Sequence, residues 1–167
     1  FAVGVDHEVV LIGMLMAGGL ALACAQPGAA ATLGVTVDGV DVGAGSGPGW
    51  TCDGSNVTVN GSGPFVLSGT GTVARFFVPA GVETHLVLSN LYLDHATHPY
   101  VCPLHLTNGA TAVLTLVGSN YLRSGANYSA ILVPAPAALT VAAESTGILV
   151  AQAWQGGAGI GTHNTDA

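Results

Sequence analysis

The sequence predicts an all-β fold, a parallel β-helix with three short strands in each coil of about 26–29 residues. Three observations predict it. Strand-like triplets begin at Phe65 (FVL), Leu91 (LYL), Asn120 (NYL) and Ile148 (ILV), nearly evenly spaced along the chain. Between them, apolar and small polar residues alternate with period two, in runs too short for helices. The 167 residues include 25 Gly, and only 7% are charged. Surface helices need a charged face, which this chain cannot supply.

The front of the chain is different. Val9 to Ala25 is an uncharged apolar run ending in small residues, followed by Gln26-Pro27-Gly28. It is short for a membrane span and suits the apolar region of a secretory signal, although no positive charge precedes it. Residues 1–28 are therefore expected to be a signal or a membrane-anchoring segment, with export to the cell surface or beyond. The membrane is expected to be met only there. Cys24, at the end of the run, is a candidate lipidation site.

Residues 29–55 read as lead-in strands with a Gly-rich cap, where Val35, Val37, Val40 and Val42 alternate before GAGSGPG. Residues 56–167 read as stacked coils, with further coils expected beyond Ala167. A second strand family lies in Phe77-Val78-Pro79-Ala80, Leu104-His105-Leu106 and Leu132-Val133-Pro134-Ala135. A third lies in Leu86-Val87-Leu88, Leu114-Thr115-Leu116 and Leu139-Thr140-Val141. No coil of this size buries its inward Leu, Val and Ile alone, so coils must stack into one apolar column. An antiparallel sandwich is the competing architecture, but a repeat with three strands per unit disfavours it.

Charge excludes one class of partner. The formal net charge is −7, there is no Lys, and Arg75 and Arg123 are the only strong cations. Such a chain does not neutralise a run of phosphates, so nucleic acid is not expected as a partner.

The run from Val57 to Leu93, VTVNGSGPFVLSGTGTVARFFVPAGVETHLVLSNLYL, resembles bacterial surface proteins of the carbohydrate-binding-domain family. The match lies in Gly63-Pro64-Phe65-Val66-Leu67-Ser68-Gly69-Thr70, in Ala74 to Val78, in the Ala80-Gly81 turn and in His85 to Leu93. Residues 110–161 continue the same texture, ending in GGAGIG. The resemblance implies a right-handed β-helix, similar in shape to pectate lyases, that is exported and binds polysaccharide or cell-surface glycan. No cofactor is certain from it, and calcium is the one left open. The chain is poorer in Asp than members with calcium sites, has Pro136 where they have a turn Gly, and carries the unusual insertion DHATHPYVCP.

Candidate site residues follow from chemistry. A flat aromatic ring packs against the apolar face of a sugar, and Tyr92 and Tyr121 occupy nearly equivalent places in successive coils. With Asn90, Asn120 and Arg123 they form the expected ligand-binding set; Tyr100, Tyr128 and Trp154 are further aromatic candidates. The alternative is ordinary cross-strand pairing of aromatics. Asp94, His95 and His98 form the densest polar cluster and a candidate metal set, with His105 as a fourth ligand, although the spacing matches no strong motif. Asp94 and Arg123 are expected to approach as a surface ion pair. Cys52 and Cys102 are a candidate disulfide in an exported protein. Phe65, Phe76 and Phe77 are expected in the core, except that adjacent Phe76 and Phe77 must face opposite ways on an extended strand. No catalytic signature is present. The expected role is non-enzymatic polysaccharide binding or adhesion; the alternatives are a structural stalk and a polysaccharide lyase-like enzyme.

Overall fold

The computed structural model describes residues 33–162. The apolar run at Val9 to Ala25, and Cys24 within it, lie outside the described residues. The described chain is an all-β solenoid of stacked parallel strands, with no α-helix. In chain order, an entry segment holds β1 (Val35–Val37), β2 (Val40–Asp41), a 3-10 turn (Val42–Ala44), β3 (Ser46–Gly47) and β4 (Trp50–Asp53). A first, short coil holds β5 (Asn56–Val59) and β6 (Phe65–Gly71), and the next holds β7 (Arg75–Val78) and β8 (Glu83–Asp94). Then come β9 (Leu104–Leu106), β10 (Thr111–Val117) and β11 (Ser119–Ala126). The last coil holds β12 (Ile131–Leu132), β13 (Ala138–Val141) and β14 (Ile148–Trp154), and β15 (Ile160–Gly161) opens another.

Three faces result. The first stacks β5, β7, β9, β12 and β15, with Val57, Phe76, Leu104, Ile131 and Ile160 in one column. The second stacks residues 65–68 of β6, 83–89 of β8, then β10 and β13. The third stacks residues 69–71, 91–94, β11 and β14. One full turn separates Phe76 from Leu104, Leu104 from Ile131, and Ile131 from Ile160, so the later coils are nearly equal in length.

The repeat corrects two registers read from sequence. Phe65 lies opposite Leu86 and not Leu91, because the first coil is shorter than those that follow. Leu139 lies opposite Ala112 and not Leu114. The latter shift is an even one along the strand, so every inward side chain stays inward.

Inward positions build one column: Leu67, Leu86, Leu88, Leu91, Leu93, Leu106, Leu114 and Leu122 are all buried. Each such side chain contributes roughly 1.5–3 kcal/mol on leaving water. Phe76 is buried within this column, while Phe77 is half-buried on the outer surface. The opposite facing of Phe76 and Phe77 follows from the pleat.

The entry segment runs antiparallel to the coils. β1 pairs with β6, and β4 pairs with β5. Its Val35, Val37, Val42 and Trp50 are buried, so it closes that end of the column. Asp38 Oδ1 accepts from Val66 N at 2.7 Å, which ties the hairpin turn to the second face.

Candidate functional site

The third face carries the expected residues. β8, β11 and β14 run parallel there, with Tyr92, Tyr121 and Val150 in one outward column and Asp94, Arg123 and Gln152 in the next. The Tyr92 and Tyr121 rings stack with centroids 4.8 Å apart and an interplanar angle of 15°. The Tyr121 hydroxyl donates to Gln152 Oε1 at 2.6 Å. Arg123 Nη1 lies 3.6 Å from Asp94 Oδ2, and its guanidinium sits 4.4 Å from the centroid of the Trp154 ring. The ion pair is part-exposed, so water screens most of its attraction and it contributes about 0–1 kcal/mol. What it does is hold the guanidinium over the indole.

Stacking has a chemical consequence. The two tyrosine rings turn one face each upon the other along the solenoid axis. Trp154, half-exposed beside them, has one face against Arg123.

Asn120 leaves the ligand-binding set. It is buried, its Oδ1 accepts from Leu91 N at 3.0 Å, and its Nδ2 donates to Val117 O and Ile148 O. Both amide hydrogens and the oxygen are thus engaged in joining three coils. Asn90 is exposed, but it too works on the corner: its φ is 52° and its Oδ1 accepts from Ser119 N at 3.2 Å.

The candidate metal set does not converge. Among the described residues no group of three His, Cys, Asp or Glu side chains is placed to hold a metal ion. Asp94 Oδ1 accepts from Ala96 N at 3.0 Å, in addition to its pairing with Arg123. His95 is turned fully inward, while His98 stays near the surface, with Nδ1 3.2 Å from Thr97 Oγ1. Neighbouring positions on this turn face opposite ways, which sequence spacing alone did not reveal. Neither ring nitrogen of His95 has a hydrogen-bond partner. Burial lowers its pKa to about 4, and the nearby His98 and Arg75 add to that effect.

Cys52 and Cys102 are free thiols, which corrects the expected disulfide. The register Cys52–Val57–Phe76–Leu104 places three strand steps, about 14 Å, between Cys52 and β9. A disulfide needs Cα atoms within about 7 Å. Cys102 Sγ donates instead to Leu104 O at 2.8 Å, and burial pushes its thiol up to about 12. Such a thiol is not a nucleophile.

A second concave region opens where the DHATHPYVCP insertion meets the first face. Arg75 lines two neighbouring cavities of about 190 Å³ each. Phe77, Tyr100, Cys102, His105 and Tyr128 line one; Ser55, Thr72, Val73, His98 and Val101 line the other. Sequence reasoning placed Phe77 in the core and gave Arg75 no role here. The signal it had was the insertion itself, whose fold depends on contacts far along the chain.

Compared with family models, with curated proteins and with solved structures, the chain matches none. The family resemblance therefore rests on strand texture alone.

Proposed function

We propose that this chain is an extracellular, non-enzymatic β-solenoid that binds polysaccharide. The observation that carries the reading is the third face. It sets a stacked tyrosine pair, a fixed Gln152 amide and an Arg123–Trp154 pair side by side on rigid strands. Parallel strands fix these groups at regular spacing, which suits a repeating ligand. Sugar hydroxyls would bond the tyrosine hydroxyls, Gln152 and Asp94, and Trp154 would offer its remaining surface to a ring. A lyase-like centre needs an Arg beside two carboxylates, and Arg123 has one.

The stalk reading has one observation in its favour: Tyr92 and Tyr121 each turn one ring face upon the other, as in ordinary coil-to-coil packing. One experiment separates the two. The full chain is passed over a panel of insoluble and soluble neutral polysaccharides, with and without calcium. Binding predicts retention on at least one of them, and roughly tenfold weaker retention for Tyr121→Ala, in line with about 1.4 kcal/mol lost. No retention on any member leaves the stalk reading in place.

A further inference from the structure

We propose that the cavity pair around Arg75 is a separate subsite for the carboxylate of an acidic sugar. The inference rests on the saccharide-binding reading, though not on the same residues. Arg75 and Arg123 are the chain's only strong cations, against nine acidic residues. Arg123 is neutralised by Asp94. Arg75 has no carboxylate partner among the described residues, and no described residue lining either cavity is acidic. In a chain of net charge −7, this is the place where a guanidinium is left for an anion from outside.

The surroundings define the class of anion. A guanidinium presents parallel N–H donors that match a carboxylate in a two-point contact. The Arg75 guanidinium stands 5.7 Å from the Phe77 ring centroid, which fixes its approach on one side. Tyr100 and Tyr128 meet edge to face at 6.3 Å, and Tyr100 is 65% exposed at the rim. The exposed Tyr100 ring thus stands at the mouth of the cavity, where a sugar ring can meet it. Ser55 and Thr72 add hydroxyls on the far side of Arg75. Each cavity is smaller than the roughly 300 Å³ of ordinary small-ligand pockets, so the site suits one charged sugar ring rather than a long ligand.

The test is an NMR titration of the isotope-labelled full chain with D-glucuronate, with D-glucose and acetate as controls at equal concentrations. The expected result is saturable shifts at the Arg75 side chain and the Tyr100 and Tyr128 rings with glucuronate. Both controls should bind at least about fivefold more weakly, each lacking one half of the contact. Arg75→Gln should weaken glucuronate about tenfold or more, as expected for a lost charge-assisted hydrogen-bond pair. Tyr100→Ala, at a position 65% exposed, should weaken it several-fold with the spectrum otherwise intact. Absence of saturable shifts, binding unchanged by both substitutions, or acetate or glucose binding as tightly as glucuronate would each overturn the proposal. Tyr121→Ala should leave the glucuronate titration untouched. Loss of neutral-polysaccharide retention together with an intact glucuronate titration therefore removes the third-face reading alone, and the reverse removes the cleft alone.

Discussion

His95 shows how one side chain ties packing to solution behaviour. It is fully buried, neither ring nitrogen is bonded, and His98, Arg75 and Asp94 are the charged or titratable groups around it. Desolvation dominates and disfavours the imidazolium, His98 and Arg75 act the same way, and Asp94 and the nearby Ala74 backbone oppose them. The folded pKa of about 4 lies below the unfolded value of 6.5. Between those values the unfolded chain takes up a proton that the folded chain refuses. Stability from this residue is therefore complete above pH 6.5 and falls as pH drops toward 4. Urea unfolding at pH 7 and pH 5 should differ by about 2 kcal/mol from this group alone. His95→Leu should remove that difference, because leucine has no group that takes up a proton in this range. An unchanged pH dependence in the variant would show that the proton uptake lies elsewhere.

The element that gives the solenoid its cross-section is the corner between the second and third faces. Asn90 and Gly118 stand there in left-handed conformations, with φ of 52° and 65°. A Cβ on Gly118 would run into the Asn90 amide. Gly118→Ala should therefore cost about 1–3 kcal/mol, part from the backbone and part from displacing that amide. Adding Asn90→Gly should recover the contact part, because glycine accepts the Asn90 backbone angle. Chemical denaturation of the two variants measures this, and equal loss in both would assign the cost to the backbone alone. The corner also explains what was legible beforehand. From β7 onward the turns are nearly equal in length, so the Leu pairs such as Leu86 and Leu114 repeat visibly, while Asn120 falls opposite Leu91 and not Asn90. The first coil lacks any counterpart of the long DHATHPYVCP turn, so its step shrinks and Phe65 registers with Leu86. Tyr92 against Tyr121 and Asp94 against Arg123 were readable because they share one strand pair at one spacing. The Arg75 cavities were not readable. Their walls come from three coils and from the inward or outward turn of each His, which chain spacing does not encode.

At the scale of the whole molecule, stability should be graded along the axis, because each coil is supported only by its neighbours. One end is closed and the other is not covered by any described residue. Val141 lies opposite Leu114, and Ile160 opposite Ile131, yet both are 48% exposed while their partners are fully buried. At the closed end Trp50 is buried on β4 between the Gly47 backbone and the column. The chain's two tryptophans thus sit near opposite ends, Trp50 as a plug and Trp154 half-exposed beneath Arg123. Trp50→Ala opens a cavity above the first coil and should cost about 3–5 kcal/mol. Trp154→Ala loses an exposed cation–π contact and should cost about 1 kcal/mol or less. Its larger effect should be on retention by polysaccharide, if the third face is the binding surface. Urea unfolding of the two variants measures the asymmetry, and equal destabilisation would mean that the last coil is held as firmly as the first.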